Sequence, residues 1–302
     1  MMNRFAFVIA TMDRPQELER LLNSFMNQAM KPYQIVIVDG GSLRVEALCQ
    51  RFPQLNISYI VSRPPDAVKQ RSLGIQIALR ESSYIGLMDD DTVLEPTALE
   101  EMKRFWDEAA PDVGGAAFNL MNSPDLEFSK LKQHPLVEKL GLYSTRIGAV
   151  LPSGFHTTLR RVSTLTQVDW LPSGGVVWKS EIFSEFRFDN WFKGYTYLED
   201  LDFSYRAGRK FRLAVVAKAG YFHYPGSSGR GGGVEFGRRE VINRAYFVKK
   251  NNDLSLPKCY LGLLFRLSIS FIMAFKSFRY YNWQRVWGNC LGFSDLIMRR
   301  LF

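Results

Sequence analysis

Histidine and cysteine are scarce in this chain, with three of each in 302 residues. The cysteines Cys49, Cys259 and Cys290 are odd in number and far apart. That excludes a disulfide framework and a zinc site built from cysteine, and it points to a reducing compartment. Acidic residues are in deficit as well: 30 Asp and Glu face 39 Lys and Arg, for a net charge of +9. Such an excess favours anionic partners, whether nucleotides, phospholipid head groups or nucleic acid. Long apolar runs are missing too. The apolar run Phe5 to Ala10 leads into a polar turn and not into a cleavage site, which argues against a secretory signal. Near the other end, the longest uncharged apolar-leaning stretch, Leu267 to Phe275, falls well short of the ~20 residues of a spanning helix. The segment after the first strand, ATMDRPQE, contains no glycine. A dinucleotide-binding G-x-G-x-x-G is therefore absent where it should stand, and so is the basic, Gly-rich loop of a nucleotidyltransferase.

What is present is enough apolar residue, 46%, for a sizeable core. FAFVIAT (Phe5 to Thr11) reads as a strand buried on both faces. Arg14-Pro15 opens a helix with Leu18, Leu21, Leu22 and Phe25 at helical spacing. QIVIVDGGS (Gln34 to Ser42) holds a second buried strand that ends in Asp39 and a Gly-Gly turn, ISYIVSR (Ile57 to Arg63) is a third strand, residues 67 to 80 form a helix, and YIGLMDDD (Tyr84 to Asp91) is a fourth strand that runs into three acids. This β-α-β order predicts an α/β fold with a mostly parallel sheet and helices on both faces. Ligands of such sheets bind beyond the carboxyl ends of the strands. Thr11, Asp39, Arg63 and Asp89 to Asp91 all lie at such ends.

Asp89, Asp90 and Asp91 are three adjacent carboxylates, which repel one another unless a positive group sits among them. A divalent ion that prefers oxygen ligands resolves the conflict, Mg²⁺ or Mn²⁺ being the natural choices. A solvated turn or a helix cap is the plainer alternative; the position at the end of a buried strand favours the ion. A second acidic pair, Glu199-Asp200, precedes Leu201 and Tyr205. Leu201, Phe203 and Tyr205 alternate with Asp202, Ser204 and Arg206 as in a strand, but Leu198, Leu201 and Tyr205 also fit one helix face. The helix is the preferred reading; it puts both acids in the first turn, where the helix dipole favours negative charge. There Asp200 is either half of a capping pair or a general base facing a bound hydroxyl. His223 follows an apolar segment and precedes the turn-forming PGSSGRGGG; it can complete a metal site with the aspartates or serve as a strand-end structural residue. His134 and His156 carry no motif.

In this order, FVIATMDRPQELERLLNSF, IVIVDGGS, KQRSLGIQIA, YIGLMDDDTVLEP, WLPSGGVVWKSEIF and YLEDLDFSYRAGRKFRL, followed by a lone histidine before a Gly-rich loop, resemble the family 2 glycosyltransferases over roughly residues 4 to 250. Within that family the chain is most similar to bacterial enzymes of surface-polysaccharide synthesis, rhamnosyltransferase-like members among them. The resemblance implies the GT-A fold and inverting, metal-dependent transfer of a hexosyl or deoxyhexosyl unit from a nucleotide-diphosphate-sugar to a hydroxyl acceptor, lipid-linked or on a growing cell-surface glycan. It implies that Thr11 and Asp39 hold nucleobase and ribose with Arg14 close behind, that Arg71 reaches the nucleotide, and that Asp89 and Asp90 belong to the donor site, Asp90 touching ribose or sugar. Asp91 would be the main ligand of Mn²⁺ or Mg²⁺ and His223 the second. Arg230 would close over the diphosphate, and Gly174 and Gly175 would let backbone approach the donor sugar or acceptor. Asp200 would take the acceptor proton with Glu199 in support. Ser72 stands where the family's usual asparagine follows the arginine, a departure at the nucleotide contact.

By this reading residues 1–257 form the catalytic domain, 1–91 its nucleotide-binding half and 92–257 the acceptor half with a flexible loop. Residues 258–302 form a basic aromatic tail with seven cations against the single anion Asp295. Amphipathic helices resting on an anionic membrane fit that composition, and a helix pair packed on the domain is the alternative. The expected location is cytoplasmic, peripheral on the cytoplasmic face of the membrane. Nucleic acid is not an expected partner, because the positive excess lies in an apolar, aromatic tail. The rival to an enzyme is a non-catalytic sugar-nucleotide-binding or membrane scaffold protein of the same fold.

Overall fold

A computed structural model of the chain describes residues 4–123, 135–192, 197–226, 232–277 and 279–298. The chain divides into two compact units, residues 1–125 with 159–229 and residues 126–158 with 230–302. This division differs from the composition break near residue 258, because the helix over 233–250 groups with the tail.

The first unit begins with β1 (Phe5–Thr11), α1 (Pro15–Met26), β2 (Gln34–Asp39), α2 (Glu46–Gln50), β3 (Ile57–Val61), α3 (Ala67–Ala78) and β4 (Tyr84–Asp89). It continues with β5 (Thr92–Leu94), α4 (Ala98–Glu108) and β6 (Val113–Leu120). After a segment that belongs to the second unit, β7 (Thr166–Val168), β8 (Gly175–Lys179), α6 (Ile182–Glu185), α7 (Glu199–Gly208) and β9 (Arg212–His223) complete it; α5 (Pro135–Lys139) lies in that intervening segment.

The strands form one sheet in the order β3-β2-β1-β4-β8-β6-β9-β5, with β7 also paired to β9. The four strands β3-β2-β1-β4 run parallel, and β6 is parallel to β9. Pairs β4–β8, β6–β8, β5–β9 and β7–β9 are antiparallel. The near-continuous apolar strands β1 and β2 are buried because helices cover the sheet. Phe7, Ile9, Ile35 and Ile37 meet Leu18, Leu21, Leu22 and Phe25 of α1 in one core. Against β1, Gly74 of α3 has no room for a side chain, since a Cβ there would collide with Val8.

Two registers position the site. Thr11 pairs with Asp39, and Ala10 with Asp89, so the ends of β1, β2 and β4 align. Thr92 of β5 pairs with His223 of β9, which delivers the histidine beside the aspartates.

The second unit contains α8 (Gly233–Lys250), α9 (Leu256–Ser277) and α10 (Tyr280–Ile297). Glu240 of α8 is buried and accepts from Arg266 of α9 at 3.0 Å and from Arg285 of α10 at 2.7 and 3.1 Å. Asn289 adds a bond to the same carboxylate at 3.2 Å. By length and composition alone α9 is long and apolar enough to cross a membrane, although Arg266 interrupts its apolar run.

Candidate active site

The aspartates after β4 diverge in their surroundings. Asp90 is buried, accepts from the Thr11 hydroxyl at 2.7 Å and pairs with Arg14 at 3.1 Å. Burial pushes its carboxyl up to about 6 against the pull of Thr11 and Arg14. Asp91 is buried too. Its Oδ2 accepts from Arg14 at 3.3 Å and from the Gly226 amide at 3.2 Å, and His223 Nε2 lies 3.0 Å from its Oδ1. Burial alone would raise the Asp91 carboxyl; His223, the Gly226 amide and Arg14 outweigh it and hold it below the ordinary range. Arg14 thus supplies one positive group that the crowded triplet requires.

Asp89, Asp91 and His223 bring one ligand atom each to within 4.8 Å of one another. Asp91 Oδ1 is buried and lies beside the imidazole nitrogen of His223 at 3.0 Å. A buried carboxylate is stabilised by positive charge, which a cation between these ligand atoms would also supply. Two carboxylates and one imidazole are ligand types that a divalent cation accepts, so these residues fit such an ion.

Arg71 of α3 ties this group to a second one. Its guanidinium pairs with Asp89 at 3.0 Å and with Glu199 at 2.9 Å. Glu199 and Asp200 open α7, as their spacing predicts, directly after Leu198, whose φ of 74° is the left-handed region that a leucine rarely adopts. Such local strain is commonly found where side chains must be aimed. Asp200 is half-buried and its Oδ1 accepts from the Leu201 amide at 2.7 Å. Burial, then the neighbouring Glu199, push its carboxyl well above the ordinary range, although the Leu201 amide and Arg71 pull it down. Arg71, held between acids, stays charged.

At the end of β2, Asp39 is fully buried and accepts from the Gly41 amide and the Tyr59 hydroxyl, both at 2.7 Å. Arg63 donates to the Asp39 carbonyl at 2.8 Å. Gln70 bridges the carbonyls of Thr11 and Val38 at 3.0 and 2.8 Å. Beside Gly174 the space of a side chain is filled by Asp89, whose Oδ2 lies 2.6 Å from where a Cβ would stand; Tyr221 fills the space beside Gly175. Thr11, Arg14, Asp39, Arg71, Asp89, Asp90, Asp91, Gly174, Gly175, Glu199, Asp200 and His223 therefore all lie in the first unit. Arg230 and His134 lie outside the described residues. Sequence reasoning missed Tyr59 and Gln70. Gln70 adjoins Arg71 in KQRSLG and was open to notice, whereas nothing local marks Tyr59 as the partner of Asp39.

The model of glycosyl transferase family 2 matches residues 6–164, more than half of the chain. The chain belongs to that family. A relative within reach by sequence is the uncharacterized glycosyltransferase YwdF of Bacillus subtilis (strain 168), 30% identical over 102 residues, which is 33% of this chain and 37% of YwdF. Among solved structures, this family 2 chain is similar to S. aureus TarS, with 15% identity over 86% of this chain and 42% of TarS and a TM-score of 0.56. The shorter TarS 1–349 gives 14% identity over 99% of this chain and 82% of that one, with a TM-score of 0.59. TarS 1–349 in complex with UDP-GlcNAc gives 16% identity over 94% and 78%, with a TM-score of 0.58. The chain thus spans well under half of YwdF and of the longer TarS. The likeness to TarS is one of fold, and the fold is the GT-A α/β arrangement, a mostly parallel central sheet flanked by helices.

Proposed function

We propose that this protein moves a sugar from a nucleotide-diphosphate-sugar to a hydroxyl acceptor with inversion, using Asp200 as the general base. The observation that carries this reading is the Arg71 bridge from Asp89 to Glu199, which links the cation-ready cluster to the first turn of α7. A leaving-group site and a base must adjoin for in-line displacement, and this pair of ion pairs supports that arrangement. In the reaction the acceptor oxygen bonds to the anomeric carbon as the bond to the diphosphate breaks, and the acceptor proton passes to Asp200. Glu199, held by Arg71, places negative charge beside Asp200 and so favours its taking the proton.

Asp91, with Asp89 and His223, would hold Mn²⁺ or Mg²⁺. Bound there, the ion would offset the negative charge that grows on the departing diphosphate. Thr11, Asp39, Arg71 and Asp90 would receive nucleobase, ribose and sugar, with Arg14 beside them. Arg230 would cover the diphosphate, and the backbone at Gly174 and Gly175 would face donor sugar or acceptor. A hexosyl or deoxyhexosyl unit, rhamnosyl included, is the class transferred. UDP-sugars come first as donors, because TarS 1–349 has been solved with UDP and with UDP-GlcNAc. A lipid-linked or growing surface glycan is the proposed acceptor, reached from the cytoplasmic face of an anionic membrane through the tail.

The test is nucleotide release from a panel of UDP-, GDP- and dTDP-sugars, with and without Mn²⁺. One donor should turn over with Mn²⁺ and stop with chelator, and Asp91→Ala should lose Mn²⁺ binding in calorimetry. A protein that binds every nucleotide without releasing sugar, and that is indifferent to Asp200→Asn, would be the scaffold instead.

A further inference from the structure

We propose that the second unit rests on an anionic bilayer through the outer faces of α9 and α10, with α9 lying along the membrane surface and not through it. The inference rests on the membrane partner of the preceding reading and adds the docking face and its mode. Sixteen large hydrophobic side chains are exposed among the described residues, and twelve of them fall between Tyr260 and Met298. Along α9 they form a stripe: Leu261, Leu264, Phe271, Ile272 and Phe275 recur at helical spacing on one side. The opposite side holds Cys259, Leu263, Ser270 and Ala274, all buried. On α10, Tyr280, Tyr281 and Trp287 are exposed, and Phe271 and Phe275 pack edge-on against Trp283 to join the two helices. An apolar area of this kind marks a surface that meets something other than water.

Charge names the occupant. Between Leu256 and Met298 the only acid is Asp295, which is buried and paired with Arg238 at 2.5 Å. The exposed charges in that span are Lys258, Lys276 and Arg279 at the ends of the two helices. Cations and aromatic rings bordering an apolar stripe match an anionic lipid surface, with the rings at head-group level. A second copy of this chain would set those cations against their like.

The mode follows from Arg266. Midway along α9, it faces inward to buried Glu240, which also holds Arg285. This inner side is committed to α8 and α10, so only the outer stripe is left for lipid. A helix surrounded by hydrocarbon would have to abandon that ion pair or carry it across.

The experiment is vesicle co-flotation of the full chain on phosphatidylcholine alone and on phosphatidylcholine mixed with phosphatidylglycerol, with carbonate extraction afterwards. Binding is expected on the anionic vesicles, with release by carbonate. Lys276→Glu with Arg279→Glu should weaken it by about tenfold or more, and Leu264→Glu with Phe271→Glu should abolish it. Circular dichroism checks that both variants fold. Carbonate-resistant binding that ignores lipid charge would make α9 a spanning helix and overturn the proposal. So would absence of binding together with concentration-dependent dimers that Phe271→Glu dissolves, or absence of binding alone. Calorimetric titration of UDP-sugar with Mn²⁺ on the same preparation reports on the catalytic reading separately: lost donor binding sinks that reading and leaves the surface standing.

Discussion

Asp200 carries the sharpest test at the scale of single residues. Asp200→Asn should cut transfer by about 10²–10⁴-fold while donor affinity changes little, as measured by steady-state rates and calorimetry. The rate should rise with pH along a limb whose midpoint lies above the ordinary carboxylate range, because only ionised Asp200 accepts the proton. The same shift has a consequence for stability. An acid whose folded pKa is raised binds its proton more tightly in the native state, so stability falls as pH climbs from the unfolded pKa, about 3.9, through the folded one. Asp200→Asn should therefore melt higher than wild type above that window, by on the order of 2–4 °C, and equally below it. Arg71→Met should do the opposite. It leaves Asp89 and buried Glu199 without their shared cation and should cost about 3–5 kcal/mol in urea unfolding. The type and place of the acids were legible in the sequence. Their division of labour was not, because Arg14 and Arg71 select their partners through space, across 76 and 18 residues.

At the scale of elements, β1 matched its sequence run from Phe5 to Thr11, and α7 began at Glu199 as its periodicity predicts. Period-two and period-3.6 patterns survive folding where an element is packed on its own apolar side. β2 ends at Asp39 before its Gly-Gly turn, as expected, whereas the runs to Arg63 and Asp91 stop at Val61 and Asp89. Helix α3 lies close to β1 at Gly74, so Gly74→Ala should destabilise by about 1–3 kcal/mol through overpacking, despite alanine's better helix propensity. In the helical unit, Glu240 is buried, which would raise its carboxyl; Arg285 and Arg266 instead bring it down to about 2. Its folded pKa is depressed, so its contribution is present above the unfolded value and lost as pH falls through about 2. Glu240→Gln should weaken the α8–α9–α10 packing at neutral pH and remove that part of the acid sensitivity, followed by helical ellipticity from pH 7 to 2.

For the whole molecule, the exposed apolar stripe of the tail predicts poor solubility in lipid-free buffer. Leu264→Glu with Phe271→Glu should raise the soluble yield and leave donor binding intact, since neither residue is among those of the candidate site. The α/β class, the acids at the strand ends, the first turn of α7 and the basic, aromatic character of the tail were all readable from residue order. Each of these follows from local pattern or composition, which chain order preserves. Tertiary structure alone decided that β5 pairs with β9 and so sets His223 at Asp91, that Arg71 joins Asp89 to Glu199, and that α8 groups with the tail through Glu240. Those pairings connect residues far apart in sequence, and they are selected by the cost of burying a charge without its partner, a quantity that exists only once the chain has closed around it.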